Sequence, residues 1–235
     1  PVNRGQNNFN TIRYDTYLDM EVQRQAFLAG EYMIRSEHSS RDWNTAYNTP
    51  AVQRGDIQKE FMPDHLPTGM QAYVLNARNP LFADKRVRRA LQYGLDFQWL
   101  NRAMFYGAYH RTDSFFANSE LAATGIPTGA ELALLEPYRD QLPERLFTEP
   151  YKLPNFDAPN GRREALRESM TLLNEAGWEV RDKVLVNKET GQPFRFELII
   201  RQPGLEKIAL VVKSRLKQLG VEMDIRLIDT GQWVN

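Results

Sequence analysis

The side chains best suited to proton transfer or metal binding are three histidines, His38, His65 and His110. They lie far apart in the sequence, and none has a second histidine or a paired carboxylate at the spacing of a metal-binding motif. Glu37, His38 and Ser39 place an acid, a base and a hydroxyl side by side. Adjacent residues rarely face one another, however, because hydrolase triads assemble from distant segments. The sequence predicts no catalytic residue and no metal site.

Other common reaction centres are missing from the sequence as well. It contains no glycine-rich phosphate-binding motif, so nucleotide binding is not predicted. It contains no cysteine, which excludes thiol nucleophiles, disulfides and cysteine metal sites. Lysine plus arginine equals aspartate plus glutamate at 30 each, which removes the electrostatic basis for non-specific nucleic-acid binding. We expect no cofactor and no nucleic-acid partner.

Side chains suited to binding lie in segments that show no regular period. Packing explains aromatic residues in such segments less easily than aromatic residues on amphipathic helices. Two groups combine stacking with hydrogen-bonding capacity, one after an early strand and one in the long loop that runs to residue 128. The predicted ligand-binding residues are Arg35, Glu37, His38, Trp43, Tyr47, Tyr106, Arg111 and Asn118. The alternative is that they merely pack the loops onto the core.

Short elements are predicted to position the first of these groups. Alternation at residues 9–17 predicts a strand, and Asp19 is a suitable cap for a helix over about 19–29. Residues 39–55 are predicted to be loop with short helices. Further strands are predicted at residues 32–35, 57–62 and 70–75, of which the last two could pair.

The remainder of the chain predicts amphipathic helices alternating with strands. Helices are expected from Asp84, from Asp96 to about 106, and over residues 129–138, 162–176 and 205–219. Segments 183–187 and 194–201 are expected to form a hairpin. The helix between 194–201 and 221–228 predicts that those two strands are parallel neighbours. The fold class is α/β, with a mixed sheet flanked by helices.

One stretch carries a recognisable family signature. The motif Asn76-x-x-x-Pro80-Leu81-Phe82-x-Asp84-x-Arg86-Val87-Arg88-Arg89-Ala90-Leu91, followed by Leu95-Asp96-Phe97, resembles that of family 5 extracellular solute-binding proteins. Further segments resemble the Yej-type branch of this family, which takes up oligopeptides and the peptide-nucleotide antibiotic microcin C. They lie at residues 1–9, 105–118, 130–135, 173–178, 190–193 and 219–225.

The resemblance implies one lobe of a type II (cluster C) periplasmic-binding-protein fold. Residues 1–235 would form most of lobe II, with a proline-rich excursion at about 137–160. Lobe I, the last part of lobe II and a signal peptide are expected outside this segment. A whole member of the family encloses its ligand between two lobes joined by a hinge.

The function implied by the resemblance is the substrate-binding component of an ABC importer. It would be a periplasmic, non-enzymatic protein, monomeric when intact, that captures oligopeptides and delivers them to an inner-membrane permease. Ligands of the microcin C type are included in this expectation. The alternatives from other classes are a peptide-acting hydrolase and a non-catalytic structural or chaperone-like partner domain.

Overall fold

The computed structural model describes residue 5 and residues 8–234, which divide into two compact units. The first unit is Pro1–Met62 and the second is Pro63–Asn235. Most of the motif quoted for residues 1–9 lies outside the described residues.

Among its described residues, the first unit contains three short helices. They are α1 (Met20–Leu28), α2 (Ser40–Thr45) and α3 (Pro50–Arg54). As predicted, the Asp19 side chain caps α1 by accepting a hydrogen bond of 2.9 Å from the Val22 N–H. The prediction of loop and short helices over residues 39–55 is confirmed. The helices here are short because polar and breaker residues interrupt every apolar period.

Four predicted strands are wrong. In their described parts, residues 9–17, 32–35, 57–62 and 70–75 contain no β-strand. Their alternating pattern fits an extended backbone, but a strand also requires a hydrogen-bonded neighbour, and periodicity does not show whether one is available. Side chains within these segments, such as Tyr14 and Val74, are largely exposed.

The second unit holds most of the regular structure. Its helices are α4 (Pro80–Ala83), α5 (Lys85–Gln92), α6 (Phe97–Phe105), α7 (Gly129–Leu135), α8 (Arg145–Thr148), α9 (Gly161–Glu175), α10 (Glu206–Lys217) and α11 (Thr230–Val234). Two short 3-10 helices, Glu136–Gln141 and Pro203–Leu205, adjoin α7 and α10. The helices predicted in this part of the chain are confirmed within a few residues at their ends.

A buried carboxylate joins three of these helices. Asp96 caps α6, as predicted, because its Oδ1 accepts the Trp99 N–H at 3.0 Å. Its Oδ2 also accepts a hydrogen bond of 2.8 Å from Nη2 of Arg162 on α9. Arg215 on α10 approaches the same oxygen at 3.6 Å. Since Asp96 is only 1% exposed, these cations offset the cost of burying its charge.

The predicted hairpin is wrong, because the hairpin forms one strand earlier. Strand β1 (Trp178–Arg181) pairs antiparallel with β2 (Val184–Asn187). The two turn residues, Asp182 and Lys183, both have the positive φ that a type I′ turn requires. Next to β2, the expected partner segment contributes a hydrogen bond of 2.7 Å from the Phe194 N–H to the Leu185 carbonyl oxygen, beside an isolated bridge between Val186 and Pro193, and no paired strand.

The predicted parallel pair is confirmed. Strand β3 (Arg195–Ile200) lies beside β4 (Glu222–Leu227), in a register from Arg195 opposite Glu222 to Ile200 opposite Leu227. Helix α10 connects the two strands, as a parallel connection requires. The α/β class is confirmed, although the described strands form two separate two-stranded sheets.

An aromatic cluster forms the centre of the core. The Phe194 ring is fully buried, and its centroid lies 4.6 Å from that of Trp178. Phe82 from α4 packs edge-on against Phe194 at 6.3 Å and against Phe196 at 5.3 Å. These T-shaped contacts are the geometry that ring quadrupoles favour. Phe82, a residue of the motif at 76–97, therefore packs against β3, the strand that precedes α10.

Gly220 lies where the end of α10 meets β2. Its carbonyl oxygen accepts the Leu185 N–H at 2.8 Å, and its φ is +78°. A Cβ atom at this position would lie 2.6 Å from the Leu185 nitrogen. Only glycine meets both constraints without strain.

We therefore predict that Gly220→Ala lowers the free energy of unfolding of the second unit by about 3 kcal/mol, from left-handed strain plus a backbone clash. Gly177→Ala is the matched control, because Gly177 has φ +88° but no atom within 4 Å of the added methyl. It should cost about 1 kcal/mol. Urea unfolding followed by far-UV circular dichroism measures both values. If both variants lost the same free energy of unfolding, the close contact between Gly220 and β2 would not contribute to stability.

Candidate functional site

The predicted binding residues divide between the two units. Arg35, Glu37, His38, Trp43 and Tyr47 belong to the first unit, and Tyr106, Arg111 and Asn118 belong to the second. Their role in ligand binding stays a prediction. Their positions and hydrogen bonds show what each side chain is free to do.

Arg35, Glu37 and Tyr47 come together in a buried polar network, here called the Arg35 cluster. The Tyr47 hydroxyl donates to Glu37 Oε2 at 2.7 Å, and Arg35 Nε donates to the Tyr47 oxygen at 2.9 Å. Arg35 Nη2 lies 3.3 Å from the same Glu37 oxygen. The side chains of Arg35 and Glu37 are each only 3% exposed. The three groups therefore satisfy one another inside the unit.

Three further residues, Gln23, Tyr32 and Ser39, complete the Arg35 cluster. Arg35 Nη1 donates to the Gln23 side-chain oxygen at 2.7 Å and approaches the Tyr32 hydroxyl at 3.3 Å. The Ser39 N–H donates to Glu37 Oε1 at 2.9 Å. The cluster thus links α1, through Gln23, to the start of α2. Segment 32–39 is held in place by these side-chain bonds instead of a β-ladder.

The cluster shifts the pKa values of its members. Burial by itself raises the pKa of Glu37, but hydrogen bonds from the Ser39 N–H and the Tyr47 hydroxyl, with the charge of Arg35, outweigh it and leave that pKa below its ordinary value. Burial, together with the hydrogen bond to Glu37, raises the pKa of Tyr47 to about 12. Glu37 is therefore ionised and Tyr47 protonated at neutral pH.

The other two early residues have different surroundings. His38 is exposed. Trp43 is half-buried, and the Lys59 ammonium lies 4.3 Å from its ring centroid in a cation–π contact. Lys59 also donates to the Trp43 carbonyl oxygen. The Trp43 ring therefore already carries a cation on one face.

In the second unit, the end of α6 starts an aromatic loop. Tyr106 is the C-cap of α6 and has a left-handed backbone with φ 56°. Phe116 and Asn118 also have positive φ. Backbone conformations of this kind cost energy in residues other than glycine and cluster at functional sites. Here they hold the rings of Tyr106, Phe115 and Phe116 at the surface, where Phe115 is 74% exposed.

Asn118 connects this loop to an extended neighbouring segment. Its side-chain amide donates to the Asp64 carbonyl oxygen at 2.9 Å and to the Leu66 carbonyl oxygen at 3.2 Å. The Thr68 N–H donates to the Ala117 carbonyl oxygen at 2.8 Å. An open groove of about 720 Å³ lies beside this junction. Its lining residues are His65, Pro67, Asn118, Ser119, Glu120 and Leu121.

Arg111 is partly buried and lies against the end of the proline-rich excursion. Its Nη1 donates to the Pro154 carbonyl oxygen at 3.3 Å. Two residues beyond Pro154, the ring of Phe156 is buried against Tyr93 with a centroid distance of 6.5 Å. The Arg102 guanidinium also pairs with Asp157. The segment that contacts Arg111 is therefore fixed on both α6 and the core.

Sequence reasoning missed the partners that determine these environments. Gln23, Lys59, Asp64 and Pro154 were not singled out, since each lies at least nine residues from the side chain it contacts. A buried arginine requires an anionic or carbonyl partner. From this rule, the sequence indicated only that such a partner should exist. The sequence did not show which partner it would be.

Two further properties bear on the kinds of site that this chain forms. Within residue 5 and residues 8–234, no group of three or more histidine, aspartate or glutamate side chains is arranged to hold a metal ion. Over the same residues, no helix is long and apolar enough to cross a membrane.

The architecture matches a known class of ligand-binding proteins. A solved structure of the oligopeptide-binding protein AppA from Bacillus subtilis, in complex with a nonapeptide, superposes with a TM-score of 0.59 at 20% sequence identity. The match covers 92% of this chain and 36% of that one. The fold is that of part of a periplasmic binding protein.

Sequence comparison defines the family. Residues 2–235 match the profile of the bacterial extracellular solute-binding proteins, family 5 middle region. The chain belongs to this family, as the signature at residues 76–97 indicated.

Curated relatives match along the entire chain. A probable peptide-binding protein YejA from Agrobacterium fabrum is 42% identical over 100% of this chain and 38% of its own length. An uncharacterised protein, y4wM, from Sinorhizobium fredii is also 42% identical, over 36% of its own length. This chain therefore spans less than two fifths of the relatives it matches.

The Arg35 cluster leads to a stability prediction. Glu37→Gln should lower the free energy of unfolding of the first unit by about 3 kcal/mol, because it leaves the Arg35 charge buried without its carboxylate. Glu31→Gln is the control, since Glu31 is exposed and should change stability by less than about 0.5 kcal/mol. Urea unfolding followed by near-UV circular dichroism of the tyrosines reports the difference. Equal midpoints for the two variants would contradict a structural role for Glu37.

The same carboxylate predicts a pH dependence. Because the pKa of Glu37 is lower in the folded state than its ordinary value of 4.5, its stabilising contribution is present above pH 4.5 and is lost as the pH falls through the folded-state pKa. The midpoint of unfolding of the first unit should therefore fall below pH 4.5 in the wild type. It should fall less steeply in Glu37→Gln. Parallel pH profiles for the two proteins would contradict this assignment.

Proposed function

We propose that this chain forms most of lobe II of a two-lobed solute-binding protein that captures oligopeptides for an ABC importer. The observation that carries the proposal is the whole-chain match to family 5, together with 42% identity to a relative described as a probable peptide-binding protein. The lobe assignment rests on the same relatives, of which this chain spans only a part.

The surface of the second unit supports a peptide ligand. Peptides of varied sequence are bound best by backbone hydrogen bonds combined with roomy aromatic or polar pockets. The loop after α6 offers exposed rings at Tyr106, Phe115 and Phe116 on a backbone that Ser114 stabilises internally. Because rings of this kind accept many side chains without a fixed hydrogen-bond pattern, they favour broad specificity.

The two-lobed arrangement gives the binding cycle its physical basis. A ligand closes the hinge only because it makes more contacts in the closed state than in the open state. One lobe supplies only part of those contacts. Lobe II by itself should therefore bind peptide weakly, and closure should create the surface that the inner-membrane permease recognises.

The setting proposed for the protein follows from its family. Family 5 comprises bacterial extracellular proteins, which supports a periplasmic location. We further propose that the intact protein is a monomer and hands its ligand to the permease. No catalytic step is needed, since capture and release are both binding events. Peptide-nucleotide conjugates of the microcin C type are proposed as additional ligands.

Calorimetry with a mixed set of tri- to pentapeptides tests the function. The full-length protein that contains this chain should bind with a Kd of about 1 μM or lower, and the 235-residue chain should bind at least about 100-fold more weakly. The reason is that, in the proposed arrangement, residues 1–235 supply only one of the two lobes that enclose the ligand. Micromolar binding by the 235-residue chain itself would contradict the two-lobed clamp.

The same samples separate the alternatives. Mass spectrometry after incubation would detect cleaved peptides if the protein were a hydrolase. Failure of the full-length protein to bind any peptide in the set would favour a structural or chaperone-like role. A peptide-nucleotide conjugate that competes with a bound tripeptide would support the wider ligand range, and failure to compete would limit the ligands to peptides.

A further inference from the structure

Residues 124–153, here called the arm, form their hydrogen bonds only with near neighbours. Within the described structure, every hydrogen bond of these residues joins groups at most four positions apart. None of the residues in the arm is buried. The arm contains α7, the 3-10 helix Glu136–Gln141 and α8, so it has regular structure without being packed into the core.

Both ends of the arm are fixed to the second unit. Just before it, the Ala123 N–H donates to Oγ of the buried Ser114 at 2.8 Å. Just after it, the Phe156 ring is buried, and Asp157 pairs with Arg102 of α6. The arm therefore begins and ends at defined positions, while the helices between them lie outside the core.

Contacts inside the arm hold its helices against one another. The Arg139 guanidinium binds Glu136 through two hydrogen bonds of 2.8 Å. The same guanidinium lies over the Phe147 ring of α8, with its carbon 4.1 Å from the ring centroid. The ion pair is exposed, however, and α7 and α8 contain only seven and four residues. Isolated helices shorter than about 12 residues are marginal in water, so the arm needs further packing to remain folded.

The arm presents apolar side chains through which such packing can occur. Leu134 is 75% exposed and Tyr138 is 55% exposed. They lie four residues apart, and Glu136 between them has helical φ and ψ of −54° and −42°, so both side chains are on one side of the helix. Leu146 of α8 and Tyr151 after it are also exposed. Several large apolar side chains exposed together mark an interaction surface, whereas single ones are ordinary.

The charges of the arm indicate the chemistry of its partner. Five acidic residues and three basic residues give the arm a net charge of −2. They are Glu131, Glu136, Asp140, Glu144 and Glu149 against Arg139, Arg145 and Lys152. A complementary surface is therefore apolar at its centre and bordered by lysine or arginine.

The partner is also one that is always present. Because the short helices need packing to remain folded, a partner that binds only during delivery, such as a permease, would leave them unfolded for most of the time. A curated relative matches 100% of this chain over 38% of its own length, so most of such a protein lies outside the matched segment. That remainder is attached to the arm in every molecule and meets it at high effective concentration.

We propose that the arm packs against the part of the full-length protein that lies outside residues 1–235, with Leu134 and Tyr138 buried in this intramolecular interface. The inference goes beyond the proposed function, because it assigns a contact within the protein and makes no use of the peptide ligand.

Hydrogen–deuterium exchange followed by mass spectrometry tests the proposal on two wild-type samples, the full-length protein and the 235-residue chain. The amides of α7 and α8 should exchange at least about 100-fold more slowly in the full-length protein, because packing stabilises the helices there. Helix α9 is the internal reference. Its residue Leu173 is fully buried within this chain, so the amides around it should exchange slowly in both samples.

Two variants of the full-length protein locate the interface on the arm. Leu134→Asp should remove most of the protection of α7 and α8, because it places a charge in an apolar interface. Ala133→Asp is the matched control, since it introduces the same side chain at the neighbouring exposed position but removes little apolar surface. It should change the exchange rates of the arm less than about 3-fold. If Leu134→Asp does not fold, the two wild-type samples still decide the question.

Equal exchange of the arm in the two wild-type samples would overturn the proposal. Protection that increases with the concentration of the 235-residue chain would also overturn it, because it would indicate a second copy as the partner. Protection of the full-length protein that arises only with permease-containing vesicles would overturn it in favour of the permease. None of these results depends on peptide binding, so the proposed function is tested separately by calorimetry.

Discussion

The second unit depends on one buried carboxylate. Asp96 is 1% exposed, caps α6 and attracts Arg162 of α9 and Arg215 of α10. A charge this deeply buried is tolerable only while its partners stay in place, so the three helices are fixed relative to one another. Helix α6 in turn carries the aromatic loop at its end and contacts the excursion through Arg102. The position of the candidate binding surface therefore depends on the interaction of Asp96 with Arg162 and Arg215.

The two units give their partly buried arginines different hydrogen-bond partners. In the first unit, Arg35 and Glu37 are paired with each other inside the Arg35 cluster. The hydrogen bonds of this cluster, instead of a β-ladder, hold segment 32–39 in place. In the second, the hydrogen bond of Arg111 is one of 3.3 Å to the Pro154 carbonyl oxygen.

The surface of the second unit combines loop residues in a strained backbone conformation with hydrogen bonds that support them. Tyr106, Phe116 and Asn118 have left-handed backbones, and the rings of Tyr106 and Phe116 remain about half exposed. Asn118 offsets some of this strain through its hydrogen bonds to the 64–66 segment. A solute-binding protein needs such a surface to be preformed, because ordering it at the moment of binding would reduce affinity.

The sequence by itself determined the features that depend on local chemistry. Asp19, Asp84 and Asp96 cap helices wherever they precede an apolar period, and the strand–helix–strand pattern at 195–227 requires a parallel pair. The tertiary structure alone decided which extended segments found strand partners and which arginines found carboxylates. Both depend on groups that meet only after the chain has folded. For that reason Arg35 and Arg111 were equivalent candidates in the sequence and have opposite environments in the fold.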